Sequence, residues 1–395
     1  MSRLLFLTWM FPFVELFLMA GGYARYLLTH KRRMGTSGAT EAIIQITTIG
    51  NYDSVNGIIA GVKAYDLPFP YQFWVVVEPG VENLYYGADE VIVVPQEFTT
   101  LAHYKARAQE CSRRVRAHRG LARRDVKVIM IDDDSLPTRQ YFIDVFGADY
   151  DIVEGVVSPR RGYGRFLTHL DDVRTISCLT DCAFFQGFGH PLWVHGEGLT
   201  FRGSAEATVS WDYPVSASED LTVGHNAVER GLSFGFVYSI VQITSPWSWS
   251  DFKKQRRRWT WGNISALKDG LLTPTATAMI VTRWLVGIGI VAIEVIALLA
   301  LPFGLWSPPA ADMQILAVSF FLWLSEFALA SWISSRDVGA TVADRLKNTL
   351  VGTLLAPITS AITTYVTLLN IAQGDPGGFE VIAKTKTPNA VGAGK

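Results

Sequence analysis

Val126-Lys127-Val128-Ile129-Met130-Ile131 runs directly into Asp132-Asp133-Asp134. A short, nearly unbroken apolar run of this kind reads as a β-strand buried on both faces, the type found in parallel sheets covered by helices. Ligands of open α/β sheets sit beyond the carboxyl ends of the strands, which is where the three carboxylates fall. Two carboxylates at i and i+2 on an extended strand end can point to the same side. Asp132 and Asp134 are therefore candidate ligands for Mg2+ or Mn2+, hard ions that bind through one or two carboxylates together with substrate phosphates. The plainer alternative is an acidic turn ahead of Pro137.

Outward from this strand, residues 42–48, 73–78 and 91–94 are further short β-rich runs, and residues 54–64 and 101–118 between them are helix-compatible. Such alternation predicts a mostly parallel α/β sheet. The flanks are different. Residues 4–28 form an apolar run long enough to cross a bilayer, which needs about 20 residues. Lys31-Arg32-Arg33 follows it, placing that end in the cytoplasm. A cleaved signal peptide is the alternative, but the run is long for one and its basic cluster lies on the wrong side. Residues 276–301, 313–334 and 346–372 are three more apolar segments. The loop 301–312 has no Lys or Arg, whereas 335–347 holds Arg336, Arg345 and Lys347, so the second loop shares the cytoplasmic side with the α/β region. The expected organisation is an N-terminal transmembrane helix over 1–30, an α/β domain over 38–270, transmembrane or interfacial helices over 271–372 and a tail over 373–395. If every segment crossed, the tail would end outside. Pro357, Thr363, Thr364 and Thr367 make residues 346–372 a candidate in-plane or re-entrant segment, and the tail is expected to be cytoplasmic.

Composition supports a membrane protein. The 395 residues are 49% hydrophobic and 18% charged, with mean hydropathy +0.22. Soluble proteins carry about a quarter charged residues, so apolar surface here must meet lipid. The net charge of -1 says little about partners. Arg113, Arg114, Arg116, Arg119, Arg123 and Arg124 read as a solvated helix face. No nucleic-acid-binding module is recognisable, and no nucleic-acid partner is expected. Cys111, Cys178 and Cys182 give no disulfide framework, which suits a reducing compartment. Cys178 and Cys182 lack a second pair or a nearby His partner in the sequence and are read as non-metal. Glu15, Glu294 and Glu326 fall inside apolar segments, as functional groups or as glue between helices.

Two further polar stations follow the aspartates. Ser218-Glu219-Asp220-Leu221 opens a helical pattern, so Ser218 and Asp220 read as helix-capping residues. A capped position also fixes an acid well enough for it to act as a base towards a hydroxyl. Gln255-Arg256-Arg257-Arg258-Trp259 places a guanidinium beside an aromatic plane, a phosphate clamp next to a stacking platform. Attraction to anionic lipid headgroups is its alternative. Between these stations, Trp193-Val-His-Gly-Glu-Gly-Leu-Thr-Phe-Arg202 is Gly-rich and polar. Gly196 and Gly198 allow close backbone approach, and His195, Glu197 and Arg202 can hydrogen-bond sugar hydroxyls. The alternative is an ordinary turn. No P-loop, zinc pattern or Ser/His/Asp elbow is present.

In type and order these residues resemble the membrane-bound family 2 glycosyltransferases, the group of cellulose, chitin and hyaluronan synthases. The similarity rests on D-x-D (Asp132, Asp134), E-D (Glu219, Asp220) and Q-x-x-R-W (Gln255, Arg258, Trp259). It extends to Lys105-Ala106-Arg107-Ala108, similar to a donor-site segment, and to Glu78, where the family often has a base-contacting Asp. The tail Phe379-Glu-Val-Ile-Ala-Lys384 resembles the family's gating segment, with Ile382 in place of the usual Thr, which puts a gating role in doubt. The strand opening Ile46-Thr-Thr-Ile-Gly-Asn51 and the small size look closest to the Egghead-type β-1,4-mannosyltransferases.

The resemblance implies a cytoplasmic GT-A domain with a Rossmann-like mixed sheet, joined to α-helical transmembrane segments of a multi-pass integral membrane protein. It implies an inverting transfer from a nucleotide-sugar donor, GDP-mannose by the subgroup, to a lipid-linked or glycan acceptor at the lipid bilayer. Asp220 would act as base. Glu78, Lys105, Asp132 and Arg258 would hold the donor, with Mg2+ or Mn2+ on Asp132 and Asp134. His195, Gly196, Glu197, Glu219, Gln255 and Trp259 would hold the acceptor. Two alternatives stay open: a processive polysaccharide synthase using a UDP-sugar, and a non-enzymatic membrane transporter or scaffold.

Overall fold

The computed structural model describes residues 8–80, 82–161, 166–215, 217–304, 309–336, 340–376 and 382. In chain order, helix α1 (Phe11–Arg25) continues through a wide π turn at Tyr26–His30 into Lys31–Arg33. Then come β1 (Glu41–Thr48), α2 (Tyr52–Lys63), β2 (Tyr71–Val77), β3 (Glu90–Val93), α3 (Tyr104–His118), β4 (Val126–Asp132), β5 (Ser135–Pro137), α4 (Arg139–Gly147) and β6 (Ile152–Pro159). A run of short helices follows: α5 (Phe166–Leu170), α6 (Asp172–Ser177), a π turn Cys178–Cys182, and α7 (Ala183–Gly187). After β7 (Thr200–Arg202) and α8 (Gly203–Glu206) come α9 (Glu219–Glu229), β8 (Phe234–Ile243) and α10 (Trp249–Lys268). Three long helices follow: α11 (Pro274–Ala300), α12 (Ala310–Ser334) and α13 (Val342–Gln373).

The described strands form one eight-stranded sheet in the order β3-β2-β1-β4-β7-β6-β8-β5. The half from β3 to β4 is parallel, as the strand–helix alternation predicts. In the other half β6 and β8 also pair in parallel, but two strands are reversed. β7 runs antiparallel to both β4 and β6, and β5 runs antiparallel to β8. Six of the eight strands thus run in one direction, as the alternation predicts, and the reversed β7 and β5 make the sheet a mixed one. Val126, Val128 and Ile129 are fully buried, in keeping with a strand covered on both faces. Register places Thr47 opposite Asp132 and Thr48 opposite Val77, so Thr48, Glu78 and Asp132 emerge along one carboxyl edge.

Arg114, Arg119, Arg123 and Arg124 are exposed, as a solvated face requires, but Arg116 departs from that reading. Arg113 and Arg114 both pair with Glu110, at 2.6 and 2.7 Å. Arg116 is wholly buried, bonded to Glu206 and Gln45 beneath the Trp74 ring. Its spacing in the sequence is that of a surface residue; only the arrival of Glu206 from α8 makes a buried guanidinium tolerable.

α11, α12 and α13 are each long and apolar enough to cross a membrane. α13 differs from the other two in how it meets the domain. Its buried positions Gly352, Ala356, Thr359, Val366 and Asn370 share one face. Leu346, Leu350, Leu354, Ile358, Tyr365 and Leu368 are exposed. Gly352 lies against Ser331 and Asp172, Val366 packs with Leu170 and Phe252, and the Asn370 carbonyl accepts from Trp261 Nε1 at 2.9 Å. From residue 352 to 370 the helix advances about 27 Å at 1.5 Å per residue. The contacts spread over this length, so α13 runs alongside α12 and the domain. Pro357 sits inside the helix without ending it. Asp172 anchors α12 to α6 by accepting from Arg161, from Ser331 Oγ at 2.7 Å and from Ser334 Oγ at 3.1 Å.

α1 also follows the domain. Gly22 lies against Ala183, and Arg25 donates to the Gly187 carbonyl at 3.2 Å. Glu15 pairs with Arg283 of α11 at 2.8 Å, and Arg283 also pairs with Asp181 at 3.0 Å, so Glu15 joins helices as expected. Residues 1–7, the side chain of Glu294 and most of the tail segment 379–384 lie outside the described residues. Ile382 is described, and it is buried.

Replacing Arg116 by Ala leaves Glu206 charged and enclosed, which costs about 3–5 kcal/mol. Thermal unfolding of the detergent-solubilised protein is expected to show this as a lowered Tm. The double change Arg116→Met with Glu206→Leu is expected to recover most of it. An Arg116→Ala variant as stable as wild type would contradict the buried pair.

Candidate active site

A cleft of about 830 Å³ opens at the carboxyl edge of the sheet. Asp132, Asp133 and Asp134 line it from the end of β4, Lys105 from α3, and Glu219 and Asp220 from α9. Gln255, Arg256, Arg258 and Trp259 reach it from α10, and Glu78, His195 and Glu197 from loops. The three separated stations of the sequence thus share one space.

Lys105 is the hub. Its Nζ lies 2.5 Å from Asp132 Oδ1 and 3.6 Å from Glu219 Oε1. Burial alone would lower its pKa, but Asp132, Glu219 and Asp220 outweigh that and hold the ammonium well above its ordinary value. Helix α3 begins at Tyr104 with φ 51, a left-handed conformation rare outside glycine, directly before Lys105. Asp133 accepts from Thr48 Oγ1 at 2.8 Å, which ties the middle carboxylate to β1. Asp134 is buried at the cleft wall.

Asp220 opens α9 as expected, but not through a serine cap. Ser218 takes φ 60, and its hydroxyl donates to Asn263 Oδ1 at 2.8 Å instead of capping the helix. Asp220 Oδ1 accepts from its neighbour, the Leu221 N–H, at 2.9 Å. Burial, with Glu219 beside it and Lys105 opposing, pushes the Asp220 carboxyl up to about 7.

The loop before β7 approaches this acid closely. A Cβ built on Gly196 would fall 2.8 Å from Lys105 Nζ and 3.2 Å from Asp220 Oδ2, so a side chain there would displace the ends of both groups. Gly198 has φ 88 and faces the Tyr141 hydroxyl, with no room for a side chain. Glu197 pairs with Arg174 at 2.7 Å. Burial would raise the Glu197 pKa, but the Arg174 guanidinium outweighs it and holds the carboxyl at about 2. His195 donates its backbone N–H to Glu154 Oε2 at 2.9 Å, and its Nε2 lies 3.5 Å from Cys182 Sγ. The fold therefore supplies the His partner that the sequence did not place near Cys178 and Cys182. Arg202 belongs elsewhere. It is buried at the far side of β7, donating to the carbonyls of Ser37 and Arg124 at 2.9 and 3.0 Å and pairing with Asp149, so it is a structural residue and not a sugar contact.

Within residues 255–259 the roles separate. Arg256 is buried against Asp171, and Arg257 turns to the Gly374 carbonyl. Arg258 and Trp259 line the cleft. Two guanidiniums lie over the Trp259 ring, Arg174 at 4.6 Å and Arg256 at 4.7 Å from its centroid. Arg174 is the main residue that sequence reasoning missed. It sits alone in an unremarkable helix, and only the fold brings it to Glu197 and Trp259. Glu78 is held by Arg107 Nη1 at 2.9 and 3.1 Å.

The family model described as glycosyl transferase family group 2 matches residues 127–343. This chain belongs to that family. It is a glycosyltransferase, which sets aside the transporter or scaffold reading. A comparison with curated protein sequences gives no match. Among solved structures, the chain is similar to the mannosyltransferase PcManGT from Pyrobaculum calidifontis in complex with GDP-Man and Mn2+. The identity is 13% and the TM-score 0.47, covering 90% of this chain and 98% of that one. It is also similar to mannosyl-3-phosphoglycerate synthase from Rubrobacter xylanophilus, at 16% identity and TM-score 0.38, over 62% of this chain and 79% of that one. Glucosyl-3-phosphoglycerate synthase from Mycobacterium tuberculosis, with Mn2+, UDP and phosphoglyceric acid, gives 13% identity and TM-score 0.33, over 53% and 70%. At such distance these likenesses assign neither donor nor acceptor.

In this glycosyltransferase Gly196→Ala is expected to lower kcat/KM by about 10²-fold, because a shift of roughly 1 Å at the reacting groups has that cost. Its Tm should stay close to wild type. Full activity in the variant would show that the loop does not press on the Lys105–Asp220 pair.

Proposed function

We propose that the enzyme is an inverting membrane glycosyltransferase that moves a sugar, mannose from GDP-mannose first, onto a lipid-linked acceptor. One observation carries the acceptor class. The cleft that holds Asp220 is also lined by Trp284 of α11 and by Thr363 and Thr367 of α13, two of the membrane-type helices. A substrate anchored in lipid reaches such a cleft between those helices without leaving the bilayer. In this reading α11 and α12 cross the membrane, α13 lies flat with its exposed leucines in the hydrocarbon, and the domain faces the cytoplasm. Residues 1–30, 38–270, 271–372 and 373–395 remain the proposed divisions.

The donor set fits a hard divalent metal. Asp132 and Asp134 both line the cleft wall and offer carboxylate oxygens of the kind such ions take. When bound, Mg2+ or Mn2+ there would neutralise the charge of a diphosphate leaving group. The chain's own residues do the rest. Lys105 and Arg258 bind the diphosphate, with Glu78 at the base end of the donor. Asp220 takes the proton of the acceptor hydroxyl as that oxygen attacks the anomeric carbon from the face opposite the diphosphate. Glu197, held ionised by Arg174, accepts hydrogen bonds from sugar hydroxyls, with the backbone at His195 and Gly196 beside it. Trp259, with Gln255 and Glu219, forms the acceptor wall.

Asp220 works only when ionised, so its raised pKa sets the acid side of the pH profile. The expected kcat/KM falls as pH drops through a value well above the usual carboxylate range, towards 7. Asp220→Asn should remove that limb and about 10²–10⁴ of the rate. A limb near the ordinary Asp value would contradict the assignment.

The deciding experiment presents reconstituted enzyme with a panel of GDP- and UDP-sugars and Mn2+ or Mg2+, and follows label into lipid extract and water. The expected product is a single sugar in the lipid extract, from GDP-mannose. A ladder of long chains would overturn the lipid-acceptor reading in favour of a processive synthase.

A further inference from the structure

Cys178 and Cys182 bracket the π turn between α6 and α7. Such turns within helices frequently mark functional sites. Both cysteines are 0% exposed. His195 arrives from the loop before β7, and the three ligand atoms, two Sγ and an imidazole nitrogen, all lie within 4.8 Å of one another. Among the described residues no other group of three or more His, Cys, Asp or Glu side chains has this arrangement. Tetrahedral zinc, with Zn–S of about 2.3 Å and Zn–N of about 2.0–2.1 Å, sets neighbouring ligand atoms roughly 3.5–4 Å apart. Cys182 Sγ and His195 Nε2 are already 3.5 Å apart.

The surroundings support a built site. The His195 backbone is fixed by its N–H to Glu154, a buried carboxylate that also accepts from Gln186 Nε2. Cys178 Sγ accepts from the Val157 N–H at 3.4 Å, which anchors it to β6. His195 lines the cleft, so an ion has a route in and a water can complete its fourth position. Sulfur and imidazole donors are softer than the carboxylates of Asp132 and Asp134 and select a different ion.

We propose that Cys178, Cys182 and His195 form a second metal site, for zinc, separate from the carboxylate site at the end of β4. Binding replaces the two thiol protons with one Zn2+. Both protons leave to solvent, the sulfurs remain as thiolates, and no electron is transferred. The metal cross-links the π turn to the loop whose next residue, Gly196, lies against Asp220. It is thereby a positioning site for the acceptor loop. It does not depend on the donor or acceptor proposed above.

Purified full-length protein titrated with Co2+ alone is expected to give a thiolate-to-cobalt charge-transfer band saturating at about one metal per chain and erased by Zn2+. The band should persist in Asp132→Asn and disappear in Cys178→Ser and in Cys182→Ser. A wild-type protein with reduced thiols that gives no such band overturns the proposal. So does a band that survives both serine variants and is lost in Cys111→Ser. If a serine variant folds poorly, zinc-edge X-ray absorption of the wild type decides. A shell of two sulfurs and an imidazole nitrogen supports the site, and a shell of oxygen and nitrogen alone overturns it. Sugar transfer is measured separately, so failure of the donor or acceptor assignment leaves these readouts unchanged.

Discussion

The site depends on one partly buried ammonium. Asp132, Glu219 and Asp220 come from two elements far apart in sequence and line one half-buried cleft. Like charges about 4 Å apart repel by roughly 4 kcal/mol at an effective dielectric constant near 20. Lys105 is the group that lets them share the space, at 2.5 Å from Asp132 and 3.6 Å from Glu219. Several local features serve its position. The left-handed Tyr104 turns the chain into α3 just before it, and the bare backbone of Gly196 leaves room for its Nζ. The parallel register of β1, β2 and β4 sets Thr48, Glu78 and Asp132 on one edge around it.

Much of this was legible in the chain because it is local. A continuous apolar run followed by acids specifies a buried strand with a polar end, and residues 126–134 fold that way. Glycine at 196 signals a close approach, and the structure supplies the approaching atoms. What the sequence hid is what distance along the chain hides. The antiparallel β7 is only Thr200–Arg202, too short for a period, and its place between β4 and β6 follows from pairing alone. Arg116 reads as a surface charge and Arg202 as a sugar contact until Glu206 and Asp149 arrive from elsewhere. Cys178 and Cys182 look like an isolated pair until the loop folds His195 onto them. Ser218 has the residue type of a helix cap, yet Asn263 competes for its hydroxyl and wins.

The long apolar helices are tied to the rest of the chain by buried polar contacts. Asp172 binds Ser331 and Ser334 of α12, and Arg283 of α11 binds both Glu15 and Asp181. Trp193 donates to that same Asp181 at 3.1 Å, two residues before His195. The long apolar helices α11 and α12 are therefore bonded to the segment that carries the cleft's loop.

The way Trp284, Thr363 and Thr367 wall the cleft has a kinetic consequence for the proposed reaction. Its two substrates arrive under different concentration laws. The donor is counted per volume of solution, whereas an acceptor entering between α11 and α13 is counted per area of bilayer. Diluting the membrane with inert lipid then starves the enzyme of acceptor at constant bulk molarity, and turnover follows surface density.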